Sequence, residues 1–213
     1  MLISHIKIPY FTLINYSPRG DSDLSVKSRQ ICGNIKAGRE GTILHAIDYL
    51  KSFENEELTH YFNKNVTLIP VPRSAPLSIG ALWPTKVIAE LFLKEGFAKE
   101  VMPCIERVNP VRKSSFQTNA DSRPSVEEHY DSLSVTPVLL EPDQITLIDD
   151  VLTLGRTTLA CVQRLNETFP KTEIRIFALV RTQSLIPNIE KIIDPSFGVI
   201  SYSSATGKTS RNP

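Results

Sequence analysis

Residues 145–159, ITLIDDVLTLGRTTL, carry the pattern from which the fold and a site can be inferred. The stretch opens with an apolar run that is typical of a buried strand, and two carboxylates, Asp149 and Asp150, stand at its end. A short loop with Thr153 and Gly155 follows, and a helical pattern begins about two residues later. In α/β folds, ligands bind beyond the carboxyl ends of the strands, where a helix start offers free N–H groups to a phosphate. The stretch therefore predicts a site for a ribose that carries a phosphate.

The same residues also fit an ordinary connection between a strand and a helix. In that interpretation the acidic pair and Thr153 cap the following helix, and no ligand is needed. The two interpretations predict the same local fold and differ in what the helix start binds.

Other parts of the chain repeat the alternation of strand and helix. Residues 66–72 and 174–182 are apolar runs that predict buried strands, and residues 101–105 predict a further strand. Pro84 suits the first turn of a helix and Gly96 suits its end. Strands that alternate with helices predict an α/β domain with a parallel, twisted sheet flanked by helices.

The two ends of the chain show weaker patterns. Residues 6–14 predict one or two short strands that break at Pro9, and residues 15–30 are polar and rich in turn residues. Residues 189–200 predict an edge strand, and we expect a flexible tail after them.

Composition narrows the classes of protein to which the chain can belong. Its 213 residues, of which 41% are hydrophobic, suit one α/β domain with a small addition. The formal net charge of +1 argues against a strongly basic nucleic-acid surface, although it leaves room for a local basic patch. No apolar run approaches the roughly 18 residues of a membrane span, and the N-terminus lacks a signal-peptide pattern. The three cysteines are far apart, which favours reduced thiols and a cytoplasmic protein without a membrane partner.

The stretch around the acidic pair resembles the phosphoribosyl-pyrophosphate (PRPP) motif of type I phosphoribosyltransferases. The family pattern is an apolar strand, two acidic residues, two or three apolar or small residues, and then T-G-x-[ST]. Leu154 departs from the pattern because the family usually has Thr there, and the adjacent Thr153 is the candidate substitute for the missing hydroxyl. The residues that match are Asp149, Asp150, Gly155 and Thr157.

The resemblance implies transfer of ribose 5-phosphate from PRPP to an unidentified acceptor, for which we expect a nitrogenous base, with release of pyrophosphate. Asp149 and Asp150 would accept hydrogen bonds from the ribose hydroxyls. A Mg²⁺ ion would bind mainly through the phosphates of PRPP and water, so no dedicated protein cage is expected. The residues expected to bind the 5′-phosphate are Thr153, Leu154, Gly155, Arg156 and Thr157.

Two further stretches are expected to contact pyrophosphate. Arg73 and Ser74 follow an apolar run in a proline-rich loop, which in this family holds the pyrophosphate; the alternative is a plain rigid connection. Residues 106–136 show little apolar periodicity and carry several cations, which can close over a pyrophosphate and exclude water. Arg112 and Lys113 in this segment are therefore expected to join the acidic pair as catalytic residues. The alternative for this segment is a solvated, disordered insertion.

The segment is most similar to that of ComF-type phosphoribosyltransferases. This looser match spans roughly residues 30–182 and includes an I-x-x-x-I-K pattern that ends at Lys36. The cysteines that bind zinc near the N-terminus of many ComF proteins are absent from the sequence. The residues in matching order are Arg107, Gln117, Arg123 and Tyr130.

The resemblance suggests three units: an N-terminal hood or extension (residues 1–40), a phosphoribosyltransferase-like core (41–200) and a flexible tail (201–213). Enzymes that salvage 6-oxopurines carry an Asp at the position of Thr153, so that subclass is not expected. The expected partners are PRPP and a small-molecule acceptor. The sequence does not decide between a monomer and a homodimer. The alternative is a non-catalytic PRPP or nucleotide sensor on the same fold, acting in regulation or DNA uptake, which the departure at Leu154 favours.

Overall fold

The computed structural model describes residues 5–112, 123–139, 141–183 and 185–212. The strands are β1 (His5–Tyr16), β2 (Val66–Pro70), β3 (Glu100–Val101), β4 (Ile105–Arg107), β5 (Leu133–Val135), β6 (Gln144–Leu152), β7 (Glu173–Thr182), β8 (Ile193–Ser203) and β9 (Lys208–Asn212). The helices are α1 (Asp23–Lys36), α2 (Glu40–Ser52), α3 (Pro84–Lys94), α4 (Val126–Asp131) and α5 (Arg156–Thr168), with a 3₁₀ turn at Glu56–His60.

A seven-stranded sheet with strand order β3-β2-β6-β7-β1-β8-β9 forms the centre of the fold. The first five strands in this order are parallel to one another, and β8 and β9 add two antiparallel strands at one side. Strands β4 and β5 form a separate two-stranded antiparallel sheet. The predicted α/β class, with a mostly parallel sheet flanked by helices, is confirmed.

The sheet buries apolar side chains on both faces, as parallel sheets between helices do. Along β6, Ile145 and Leu147 pack into one apolar cluster, which includes the buried face of α5. Ile148 points the other way into a second cluster, which includes residues of α1, α2 and α3. The continuous apolar run that predicted β6 therefore reflects burial on both sides.

The N-terminal residues belong to the sheet, which differs from the expected separate hood. Strand β1 is continuous through Pro9 and lies between β7 and β8. Helix α1, which follows it, was not predicted because two of its buried positions are Ser25 and Ser28, so it carries no apolar stripe. Ile35 of α1 is fully buried in the same cluster as the helices of the core.

The C-terminal residues also differ from the expected flexible tail. The predicted edge strand is an internal strand, β8, which extends to Ser203. A turn at Gly207, whose φ is +63°, leads into β9, which pairs antiparallel with β8 and forms the edge. The sequence of β9, KTSRN, lacks apolar residues, so its pattern did not predict a strand.

Part of the segment 106–136 is regular, although little apolar periodicity was found in it. It contains the end of β4, helix α4 and strand β5. Ser125 and Glu128 form a reciprocal capping box at the start of α4, a local signal that the sequence analysis missed. The single strand predicted at residues 101–105 is divided between β3 and β4. In the described part of the chain, no helix is long and apolar enough to cross a membrane.

Candidate functional site

A cavity of about 390 Å³ opens beyond the carboxyl ends of β2 and β6. Almost every predicted site residue lines it, although these residues come from separate parts of the chain. The exception is Lys113, which lies outside the described residues, as does Gln117. The predicted residues that line the cavity are Arg73, Ser74, Arg112, Asp149, Asp150, Thr153, Leu154, Gly155, Arg156 and Thr157.

The two carboxylates are close neighbours at the end of β6, and each acts on the surroundings of the other. The charge of Asp149 acts on Cys161 of α5, whereas that of Asp150 acts on Cys32 of α1. Each carboxylate accepts a hydrogen bond from the next backbone N–H, at 2.9 Å to Asp149 Oδ1 and 2.7 Å to Asp150 Oδ1. The pair can therefore contact two neighbouring hydroxyl groups of a ligand in the cavity.

The pKa of Asp149 is raised well above its usual value. Burial is the largest cause, and the neighbouring charge of Asp150 adds to it, while the ammonium group of Lys36 acts in the opposite direction. Asp149 keeps part of its surface open to the cavity. The negative charge of Asp149 therefore destabilises the folded protein until hydrogen-bond donors or cations of a ligand approach the carboxylate.

The start of α5 faces the cavity. Gly155 takes the N-cap position with a φ of +72°, and no side chain within the described residues accepts a hydrogen bond there. The first turn contains no acidic residue. The positive end of the helix dipole therefore faces the cavity. Asp149 and Asp150 accept hydrogen bonds from the backbone N–H groups of Asp150 and Val151, and the hydroxyl of Thr153 lies 2.9 Å from that of Thr182.

Gly155 is required at this position for two independent reasons. A left-handed backbone conformation disfavours every residue that carries a Cβ atom. A Cβ atom would also lie 2.8 Å from Cδ1 and 3.0 Å from Cγ2 of Ile200 in β8. The loop before α5 is therefore packed against the C-terminal strands.

The side chains of the loop are oriented by contacts with distant residues. The hydroxyl groups of Thr153 and Thr182 are 2.9 Å apart, and Thr157 Oγ1 lies 3.2 Å from Nε2 of His129. The guanidinium group of Arg156 donates to the backbone carbonyl of Arg123 at 3.0 Å, so this side chain points to the segment before α4.

Arg107 is a buried cation that lines the cavity, and it was noted in the sequence only as part of the ComF-like order. Its side chain is 4% exposed, and burial lowers its pKa. Nε donates to the carbonyl of Arg73 at 2.9 Å, and Nη1 donates to Ser132 Oγ and to the carbonyl of His129. Nη2 has no partner among the described residues. A buried guanidinium with an open donor and no carboxylate beside it is expected to bind an anion.

His129 is a second cavity residue that the sequence analysis did not identify. It is 3% exposed, and its pKa falls to about 4, chiefly through burial and then through the charge of Arg107. The imidazole is therefore neutral at physiological pH. If Nε2 carries the proton and donates to Thr157, the hydroxyl of Thr157 is free to donate to an anion. His129 has no nearby sequence signal, since it meets Thr157 only through the packing of α4 on α5.

Two predicted cations are turned partly away from the cavity. Nη1 of Arg73 donates to the carbonyl of Leu82 at 2.9 Å, within its own loop. Nη2 of Arg112 lies 3.5 Å from Glu128 Oε1 in an exposed pair, which contributes little to stability. Arg112 can therefore change partner at low cost when a stronger anion enters.

The charge of the lining is strongly positive. It contains six cationic side chains against two acidic ones. The described residues contain no group of three or more His, Cys, Asp or Glu side chains that could hold a metal ion. The acidic pair fits a Mg²⁺ ion that takes most of its ligands from phosphates and water. The cationic residues are Lys36, Arg73, Arg107, Arg112, Arg123 and Arg156.

Trp83 also lines the cavity. Its indole Nε1 donates to the carbonyl of Val71 at 2.8 Å, and Thr85 Oγ1 donates to the same oxygen at 2.6 Å. These bonds fix the ring beside the end of β2.

No protein-family model matches the chain, and no curated protein matches it. The function is therefore inferred from the cavity and its residues.

Proposed function

We propose that the chain binds PRPP with Mg²⁺ and transfers ribose 5-phosphate to a nitrogenous base with release of pyrophosphate, on a type I phosphoribosyltransferase fold. The proposal rests on three features of the molecule that come together in one place. A strand-end carboxylate pair, the start of a helix and a buried guanidinium with an open donor line the same cavity. These groups complement a ribose that carries a phosphate and a pyrophosphate.

Each group has a role in binding and orienting such a ligand. Asp149 and Asp150 accept hydrogen bonds from the two ribose hydroxyls, and the N–H groups at the start of α5 bind the 5′-phosphate. A hydrogen bond to a charged group is worth about 1.5–3 kcal/mol. Contacts at both ends of the sugar would hold the reacting carbon in place for the acceptor.

The cations have their largest effect on the leaving group. As the bond between the anomeric carbon and the pyrophosphate oxygen lengthens, negative charge grows on the pyrophosphate, and positive charge develops on the sugar ring. The Arg107 guanidinium is already desolvated and held by three hydrogen bonds, so it requires little reorganisation to stabilise that charge. Arg73 and Arg112 can add to it. A bound Mg²⁺ ion would neutralise part of the phosphate charge.

A second candidate is a PRPP sensor without catalysis. Leu154 brings an apolar side chain to the cavity where the related pattern has a hydroxyl, which removes one phosphate contact. A sensor requires binding and release of PRPP but not displacement of pyrophosphate.

Isothermal titration with PRPP and Mg²⁺, followed by a pyrophosphate-release assay against a panel of bases, tests these proposals. The wild-type protein should bind PRPP, and Asp150→Asn should weaken binding by about tenfold or more. Asp143→Asn, which changes an exposed carboxylate near the other end of β6, is the matched control and should bind normally. Binding without release for every base would favour the sensor. A wild-type protein that does not bind PRPP would contradict both proposals.

A further inference from the structure

The C-terminal strand β9 contacts the carboxyl ends of β6 and β7, of which β6 ends at the cavity. Nη1 of Arg211 donates to the carbonyl of Leu152 at 2.9 Å, and Nη2 donates to the carbonyl of Thr182 at 2.8 Å. Leu152 is the last residue of β6 and Thr182 is the last residue of β7. One guanidinium group therefore joins the carboxyl ends of two neighbouring parallel strands, directly before the loop that leads to α5.

The hairpin formed by β8 and β9 contacts the same loop at a second point. Ile200 of β8 is fully buried and packs against Gly155 so closely that a Cβ atom would not fit. Between these two contacts, the hydroxyl of Thr153 is hydrogen-bonded to that of Thr182, whose carbonyl is held by Arg211. Residues 152–155 are thus held from one side by the C-terminal hairpin.

The charges around Arg211 indicate a structural role for the N–H groups of its guanidinium. Burial lowers the pKa of Arg211, and the nearby charge of Arg181 lowers it further, while Tyr10 acts in the opposite direction. Arg181 is paired with Asp194, so that carboxylate is already engaged. Arg211 has no ion pair with a described residue, and its two observed bonds end on backbone carbonyls, which need donors where parallel strands separate.

We infer that the β8–β9 hairpin is part of the ligand site and that Arg211 is a positioning residue, which holds residues 152–155 in the conformation that presents the start of α5 to an anion. Only the identity of that anion rests on the proposed function. The inference explains why a polar strand with exposed side chains pairs at the edge of the sheet.

Hydrogen exchange of the ligand-free, full-length protein tests the inference without any ligand. Arg211→Met removes both bonds and should accelerate exchange of the amides of residues 153–157 by about tenfold, because local opening becomes easier. Exchange of the amides of residues 145–148 in the centre of β6 should stay unchanged. Arg211→Lys, which keeps the charge but can serve one carbonyl at a time, should give an intermediate rate. Lys208→Met replaces an exposed cation of the same strand and should leave the loop unaffected.

Affinity for PRPP with Mg²⁺, measured by calorimetry on the same variants, gives the second readout. Arg211→Met should weaken binding by about tenfold, in parallel with the exchange rates. Unchanged exchange at residues 153–157 would overturn the inference. Equal acceleration across β6 and the loop would overturn it as well, because Arg211 would then only stabilise the whole fold. A loosened loop in a protein whose wild type fails to bind PRPP would support the positioning role and contradict the proposed function.

Discussion

Nε of Arg107 donates a hydrogen bond to the backbone carbonyl of Arg73 at 2.9 Å. This bond links the end of β4 to the loop after β2, and both residues line the cavity. The guanidinium is buried, and its Nη2 has no partner among the described residues. The bond therefore holds in place a cation that can still donate a hydrogen bond to a ligand.

Arg107→Met should weaken the binding of inorganic pyrophosphate by at least about tenfold, because a desolvated charged donor is lost. The carbonyl of Arg73 also loses its donor, so the free energy of unfolding should fall by about 1–3 kcal/mol. Calorimetry and urea denaturation measure the two effects. Arg19→Met, which removes an exposed cation outside the cavity, is the control. Normal pyrophosphate binding by Arg107→Met would contradict the role of Arg107.

His129 should make the protein less stable at acid pH. Its pKa is about 4 in the folded protein, against an ordinary value of 6.5. Between about pH 4 and pH 6.5, the imidazole is therefore protonated in the unfolded chain but neutral in the folded protein. Stability is therefore fully present above about pH 6.5 and is lost as the pH falls toward 4, by roughly 3 kcal/mol at most.

Urea denaturation at pH 7 and at about pH 4.5 measures this loss. His129→Gln cannot titrate and should show a smaller difference between the two conditions. His60→Gln changes an exposed imidazole and should behave as the wild type. The same pH dependence in His129→Gln and the wild type would assign the loss to other groups.

Asp149→Asn should separate stability from binding. The raised pKa of Asp149 means that ionising this group costs stability as the pH rises above the unfolded value, so at neutral pH the charge destabilises the folded protein. The amide should therefore raise the midpoint of thermal unfolding at pH 7, while it weakens PRPP binding by about tenfold. A lower midpoint would show that the acceptor oxygen of Asp149 matters more to the fold than its charge.

Gly155→Ala should destabilise the protein through strain and through a clash. The positive φ costs about 1–2 kcal/mol, and the contact with Ile200 adds about 1–3 kcal/mol. The double variant Gly155→Ala with Ile200→Val removes the closest methyl group and should recover part of the second cost. Gly41→Ala is the control, since it lies in α2 with open space around it and should stabilise by about 0.5–1 kcal/mol. If the effects of Gly155→Ala and Ile200→Val on the free energy of unfolding prove additive, the predicted clash is wrong.

The elements that could be predicted are those in which a local pattern and burial agree. β2, β6 and β7 are apolar runs buried on both faces, and α3 starts at Pro84 and ends just before Gly96. Helix α1 could not be predicted because serines occupy part of its buried face, and β9 could not be predicted because it is polar throughout. In both cases, hydrogen bonds and partner strands decide the structure, and a local hydrophobic pattern does not record them.

The candidate site divides in the same way. The loop after β6 could be predicted because its residues are adjacent in the sequence and follow a strand. The roles of Arg107 and His129 could not, since they depend on bonds to Arg73 and Thr157, which are 34 and 28 residues away. Arg211 is 59 residues from Leu152. Such long-range contacts exist only once the chain has folded.

The position of β1 constrains the order in which the chain can fold. Tyr10 pairs with Ile176 of β7 and with Gly198 of β8, which lie 166 and 188 residues later in the chain, so both neighbours of β1 are synthesised long after it. Contacts this far apart in sequence carry a large loop-closure cost and slow the folding of a domain. The apolar N-terminal strand must therefore remain unpaired during synthesis, a period in which exposed strand edges favour aggregation. The side of the sheet that contacts the loop before α5 therefore assembles only after β7 and β8 have been synthesised.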